Sequence, residues 1–479
     1  MKKSPAFVPM ANLLVAASMT VLGAGPLAAQ ELGLPTLASV NDMGTGTGDG
    51  RSINPSISAD GRFVAFRSDA TDLVATPDTN DFSDLFVRDL VAGVTTLVTH
   101  NFLGTDTGNN PSGNGVISAD GNLVAFLSGA SDLVENDNNN NTDIFVRDLQ
   151  AGTTTLVSAN NTGTDSGDGA SGSRPSISAD GRFVVFASLA TDLVANDTNN
   201  NTDIFVRDLQ AGTTTLVSAN NTGTDSGDGG SLGRTSISAD GRFVVFYGRA
   251  TDLVANDNNG TRDVFVRDLQ AGTTTLVSIN NTGTDSGDSH STRPSISADG
   301  RFVVFHSRAT DLVANDNNGT RDFFVRDLQA GTTTLVSINN TGTDSGNGRS
   351  HYGVISADGG AVAFESYATD LTELLDPNGG SDVFVALSSG KIAEYTETLI
   401  ADIQALGLPN KVAKAILAPM KNISQLLEDG NPNNDMSVCG KLDEMIMTVN
   451  EKEAAGLMSA DDAAAIRNAG QAIQAGLGC

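Results

Sequence analysis

Basic residues are scarce in this 479-residue chain: 28 Lys and Arg stand against 57 Asp and Glu, for a net charge of −29. A nucleic-acid binder needs a basic footprint for phosphate, so that class of partner is excluded. Long apolar runs are missing after Gln30, which argues against a transmembrane segment in the mature chain. Histidine is sparse too. His100, His290, His306 and His351 stand at no fixed spacing, so the sequence writes no histidine metal cluster. The two cysteines, Cys439 and Cys479, are not spaced as a metal site. Both lie near the end of the chain, where one disulfide between them is an open option in an oxidising compartment.

Enzyme signatures are equally thin, and no catalytic residue is assigned. Gly229-Gly230-Ser231-Leu232-Gly233 has the outline of a nucleophile elbow, but a strand pattern follows it where a helix is required. Near-identical repeats also argue against catalysis, which needs distinct groups in distinct roles.

What is present begins at the N-terminus. Met1-Lys2-Lys3, an apolar stretch through Leu13-Leu14-Val15-Ala16-Ala17, and the small residues Ala28-Ala29 make residues 1–29 a secretory signal peptide. The protein is therefore expected to be exported, to the periplasm or outside the cell.

The phrase Ser-Ala-Asp-Gly begins at Ser58, Ser118, Ser178, Ser238, Ser297 and Ser356, at spacings of 60, 60, 60, 59 and 59 residues. A period of this size points to a propeller or a solenoid. Within one repeat, Asp240-Gly241 is a hairpin turn, and Arg242-Phe243-Val244-Val245-Phe246 is a β-branched and aromatic strand. Val264-Phe265-Val266-Arg267 alternates, and Thr273 to Ser278 supplies a fourth strand. Four antiparallel strands make a blade, and six blades close into a ring that hides its sheet edges. The sixth repeat lacks its fourth strand, while Pro35-Thr36-Leu37-Ala38-Ser39 stands alone ahead of the first. The expected fold is mainly β: a six-bladed β-propeller over residues 35–389, its last blade completed by the N-terminal strand.

Ser-Ala-Asp-Gly-Arg-Phe-Val-Val-Phe followed by Asp-Val-Phe-Val-Arg-Asp-Leu resembles the TolB-type, WD-repeat-like propeller repeat of bacterial exported proteins. The resemblance implies the fold; it does not fix a function, because this fold hosts many roles. From Lys391 the composition turns to Ala, Leu, Ile and Lys, and Leu399, Ile403 and Leu406 fall at helical spacing. Residues 391–479 read as a small all-α domain. Ile403-Gln404-Ala405-Leu406-Gly407-Leu408-Pro409 and Ala469-Gly470-Gln471-Ala472-Ile473 resemble the FIMAH-type module, which implies docking or stabilisation.

In a four-stranded meander, the loop entering strand one and the loop between strands two and three share one end of the blade. The Ala-Asp-Gly and Gln-Ala-Gly turns share the other end and hardly vary. The varied end is the expected binding face. At the start of strand one the equivalent residues are Asn54, Asn114, Arg174, Arg234, Arg293 and Tyr352; after strand two they are Arg67, Leu127, Ala187, Tyr247, His306 and Glu365. Arg174, Arg234 and Arg293, with Arg249 and Arg308, suit a carboxylate, sulfate or phosphate. Alternatively, each Arg pairs with an Asp of its own or a neighbouring blade. A pocket joining His306, Arg293 and Tyr352 would favour an enzyme.

An Asp/Asn loop recurs before strand three, as Asp257, Asn259, Asp263; Asp316, Asn318, Asp322; and Asp376, Asn378, Asp382, with related sets in the first three blades. Two readings stay open. One is calcium, with carbonyls or water completing the oxygens, as in integrin-type propellers. The other is an Asx-turn. The first Asp of the integrin pattern is replaced by Ala255, and Val266 stands where an EF-hand has its Glu.

The expected function is a non-catalytic binding or scaffolding module, monomeric, for a protein or carbohydrate ligand. The alternatives are a propeller hydrolase or lyase acting on an extracellular polysaccharide, and a calcium-stabilised surface protein.

Overall fold

The computed structural model describes residues 36–76, 78, 80, 82–372, 379–428 and 435–477. Six antiparallel sheets succeed one another along the chain, over residues 52–97, 112–156, 171–216, 231–276, 291–335 and 350–387. Each of the first five is a four-stranded meander with strands in sequence order, and the sixth has three strands. Together they make a six-bladed β-propeller, as the repeats predict. First strands lie innermost and pack on the first strands of neighbouring blades.

Blade 4 shows why these residues build these sheets. Its strands are Ser231–Ile237, Phe243–Gly248, Asp263–Asp268 and Thr273–Leu276. Successive side chains on a strand point to opposite faces, so one strand serves two seams. Val244 and Phe246 pack toward blade 3, against Val185, Ile204 and Val206. Val245, Val264 and Val266 pack toward blade 5, against Val303 and Phe305. Phe246 and Phe265 stack with ring centres 5.7 Å apart, and the pair recurs from blade to blade. Strands two and three read as β-branched and aromatic runs because they are covered on both sides.

The monotonous end is monotonous for a packing reason. Gly241 turns with φ +74°, and a Cβ there would lie 2.2 Å from the Phe183 ring of the preceding blade. Gly121, Gly300 and Gly359 repeat the contact with Phe63, Phe243 and Phe302. Ala239 N donates to the Ala298 carbonyl of the next blade at 2.9 Å. Arg242 is ion-paired to Asp268, 2.6 Å away, with its guanidinium over the Phe243 ring. The turn is thus an inter-blade latch, and constant sequence there follows from the docking.

Hydrophobic clusters join blade 1 to 2, 2 to 3, 3 to 4, 4 to 5 and 5 to 6. Among the described residues, none joins blade 6 to blade 1. Val383 and Val385 of the last blade are 73% and 57% exposed, where their counterparts Val264 and Val266 are 0% and 5%. Of the expected closing strand, Pro35 lies outside the described residues, and Thr36–Ser39 form no ladder with the last strand of blade 6. Val40 bridges Thr47, and Gly48 N donates to the Ser39 carbonyl. Those are the contacts that follow the fourth strand in the other blades, as at His100 and Thr107. The turn after the closing strand is formed, while its pairing to blade 6 is not seen.

Four helices follow: α1 (Ser389–Ala405), α2 (Asn410–Glu428), α3 (Asp435–Ala454) and α4 (Ala460–Leu477). Ile403, Ile416, Met420, Leu442, Met445 and Val449 form their separate core. Ser388 caps α1, and Ser459 Oγ accepts from Asp462 N at the start of α4. Lys391 Nζ binds Asp358 Oδ2 at 2.7 Å, and α4 touches the last strand of blade 6. Cys439 is disulfide-bonded; Cys479 lies outside the described residues. Among the described residues no helix is long and apolar enough to cross a membrane.

Candidate anion-binding site

Every first strand is interrupted by a bulge. In blade 5, Thr292 pairs with His306 and Ser295 with Val304, so Arg293 and Pro294 stand opposite one residue. The same break carries Asn54, Asn114, Arg174, Arg234 and Tyr352. In blades 3 and 4 it is one residue longer. A bulge bends its strand and re-aims the side chain it carries. Asn54, Asn114, Ser173, Arg293 and Tyr352 all adopt positive φ. Asn tolerates that region; Arg293 at 57° and Tyr352 at 48° carry backbone strain, which concentrates at functional sites.

The bulges bring together residues that the sequence keeps one and two repeats apart. The Arg293 guanidinium lies 4.1 Å from the Tyr352 ring centre, and that of Arg234 lies 5.6 Å from it. His306, 4% exposed, shares a 2.5 Å hydrogen bond between Nε2 and Thr292 Oγ1. Desolvation, reinforced by Arg321, Arg293, His351 and Arg234, pushes its pKa down to about 3. His290 is lowered by burial and by Arg262, Arg249, Arg308 and Arg321. Burial lowers Arg321, as do Arg308, Arg293 and Arg349; burial and then Arg234 lower Arg174. Positive charge is therefore crowded against positive charge over blades 3 to 6. His351 Nδ1 stands 3.7 Å from Glu365.

The alternative expectation, that each of these arginines pairs with a nearby Asp, is not met. Arg62, Arg182, Arg242 and Arg301, all at the opposite end, are paired to Asp. Among the described residues, Arg174, Arg234, Arg249, Arg262, Arg293, Arg308, Arg321 and Arg349 form no ion pair. Arg174 Nη2 reaches only the Gly115 carbonyl, at 3.4 Å. Arg293 Nη1, Arg262 Nε and His306 Nδ1 are buried atoms without a hydrogen-bond partner. The Asp/Asn loops at that end bond within their own seams, through Asn259 and its counterparts, and send no carboxylate to these arginines. Arg349, which precedes strand one of blade 6 where blade 4 has Gly230, escaped the sequence reading.

Those loops are internally wired. Asn259 Oδ1 accepts from Thr261 N at 2.5 Å, and its Nδ2 donates to Asp263 Oδ2 at 2.8 Å and to the Gly287 carbonyl at 2.6 Å. Ser278 Oγ donates to Asp263 Oδ1 at 2.6 Å. Asn318, Asp322, Gly346 and Ser337 repeat the set in blade 5. Burial raises Asp263 and Asp322 to about 7. The Asx-turn reading thus has its hydrogen bonds, and the loop also ties each blade to the next. Asp376 and Asn378 lie outside the described residues; Asp382 begins the last strand of blade 6. Among the described residues, no group of three or more His, Cys, Asp or Glu stands ready to hold a metal.

Clefts occur elsewhere. One of 590 Å3 between blades 2 and 3 is lined by His100, Arg147, Thr154 and Arg207, and one of 420 Å3 with equivalent lining lies between blades 4 and 5. Their recurrence marks the splay of outer strands, not an individual site.

No protein-family model and no curated protein matches the chain. Among solved structures, TolB from Acinetobacter baumannii is 15% identical, with 64% of this chain and 58% of that one covered and a TM-score of 0.35. A putative TolB from Agrobacterium tumefaciens is 18% identical, with 70% and 90% covered and a TM-score of 0.35. An oligogalacturonate lyase in complex with manganese is 12% identical, with 69% and 87% covered and a TM-score of 0.30. The chain thus spans 58% of the length of the first of these. At such identities the likeness concerns fold alone, and the blade count rests on the sheet topology described above.

Proposed function

We propose that this protein is an exported, monomeric, non-catalytic binding module that holds an anionic group of a protein or carbohydrate ligand at the varied end of blades 3 to 6. The observation that carries this reading is the set of mouth arginines without a carboxylate, in a chain of net charge −29. An acidic protein has abundant Asp with which to neutralise its arginines; leaving these unpaired holds them for a ligand. Bidentate hydrogen bonds from Arg to carboxylate, sulfate or phosphate supply the affinity, and Tyr352, 43% exposed, supplies a stacking surface. The helical domain serves as a stabilising module docked on the last blade, supported by the Lys391–Asp358 pair.

Calorimetric titration with a uronic-acid oligosaccharide, an acidic peptide and a neutral oligosaccharide tests the reading. Binding restricted to the anionic probes, and weakened by salt, supports it; equal binding of the neutral sugar, or none of any, overturns it.

A second reading has its own observation. Arg293 lies over the Tyr352 ring and near enough to His306 to help lower its pKa, and His306 Nδ1 is unpartnered. That favours an enzyme acting on an acidic polysaccharide. Release of new chain ends from such a polymer, abolished in His306→Ala, would establish that reading.

A further inference from the structure

The seams between blades bury carboxylates that no cation touches. In blades 2 to 5 the pairs are Asp137 with Asp143, Asp197 with Asp203, Asp257 with Asp263, and Asp316 with Asp322, all 0–6% exposed. The second member of each pair is bonded by a serine and an asparagine of its own blade. The first is not equally served. Ser166, Ser226 and Ser345, with the backbone of Asn139, Asn199 and Asn318, lie near Asp137, Asp197 and Asp316, but none reaches either oxygen of Asp137 or Asp197, or Oδ1 of Asp316, with the geometry of a full hydrogen bond. In blade 4, Ser286 Oγ reaches Asp257 Oδ1 at 3.0 Å. An ionised carboxylate taken out of water without a counter-charge is among the most costly groups a fold can bury, and this fold buries it four times over.

One further group marks where positive charge is wanted. The Asn259 amide nitrogen sits between Asp263 Oδ2 and the carbonyl of Gly287, which belongs to the loop entering the next blade. Asn139, Asn199 and Asn318 bridge Asp143, Asp203 and Asp322 to Gly167, Gly227 and Gly346 in the same way. A half-turn of the amide presents Oδ1 in place of Nδ2, at the cost of the bond from Thr261 N, and gathers acceptor oxygens alone.

We propose that each of these seams is a calcium site, held in blade 4 by Asp257, Asp263 and Asn259 together with Ser286 Oγ and the Gly287 carbonyl of the next loop, and by their counterparts in blades 2, 3 and 5. The donors are all oxygen, two of them carboxylates, which is the set calcium takes; soft metals want sulfur or imidazole, and magnesium wants a tighter octahedron. Water completes the shell. Copies with Asn in place of Gly are equally competent, because Asn140 and Asn200 adopt φ 56° and 54°, beside 63° and 65° for Gly260 and Gly319. Because each set draws on two consecutive blades, the ion staples them together, a role separate from the arginine mouth.

Thermal unfolding of the full chain, stripped with chelator and then titrated with calcium or magnesium, is the test, paired with calorimetric counting of bound ions. The expected result is a midpoint that climbs with calcium up to the millimolar range typical of extracellular modules, a weaker response to magnesium, and at least four ions per chain. The variant Asp137→Asn, Asp197→Asn, Asp257→Asn, Asp316→Asn should lose the calcium response while keeping its circular dichroism. An unchanged midpoint, an ion count of zero, or a response surviving in the variant overturns the proposal. Should the variant fail to fold, the count on the unaltered chain decides.

Discussion

The Arg293 guanidinium rests 4.1 Å from the centre of the Tyr352 ring, and both residues hold left-handed backbone. Two bulky residues in that conformation, in contact across a seam, are kept there by their surroundings and not by their own preference.

Arg293→Gly should therefore separate stability from binding. Relief of the positive φ is expected to offset the entropy cost of glycine and leave unfolding within about 1 kcal/mol of the unaltered protein. Affinity for an anionic probe should fall at least about tenfold, the loss of one charge-assisted pair. Arg242→Ala, on the opposite end and already paired to Asp268, should leave affinity unchanged. Calorimetry on both variants checks this.

Chelator-treated protein should lose stability as pH rises. Asp84, Asp203, Asp263 and Asp322 are raised by burial to about 7, and Asp143 to about 6, from an unfolded value of 3.8. A raised carboxyl favours the protonated fold, so its contribution is full below the unfolded pKa and lost as pH climbs through the folded one. His306 opposes this: lowered from 6.5 to about 3, it contributes above pH 6.5 and loses that as pH falls. Five groups outweigh one, and the thermal midpoint should drop between about pH 4 and 7 and level off above, as a pH series of melting curves would show.

Gly241→Ala should destabilise by about 1–3 kcal/mol, since the new methyl meets the Phe183 ring and the backbone must hold φ +74°. Denaturant unfolding measures it. The same change at Gly212, whose φ is +67° with open space around it, should cost only the backbone part.

Val264→Thr and Val383→Thr place one change at equivalent positions of blades 4 and 6. Val264 is fully buried in a seam and Val383 is 73% exposed. A loss of about 1–3 kcal/mol is expected at Val264 and within about 0.5 kcal/mol at Val383. Equal losses would mean that blade 6 is covered in solution.

The blades, their order and the helical tail were legible in the sequence because they rest on local periodicity. Alternation in Val264-Phe265-Val266 and the turn at Asp240-Gly241 are signals carried within a few residues. The bulges were not legible, because the extra residue shows only against the strand that it pairs with. The fate of the arginines was not legible either. Arg242 and Arg293 are the same side chain in a chain full of Asp, yet one finds Asp268 across the sheet and the other finds a tyrosine of the next blade. The sequence by itself determined six blades and a varied end. Only the tertiary structure decided which charges meet, because ion pairing depends on distances across seams that residues some sixty positions apart create together.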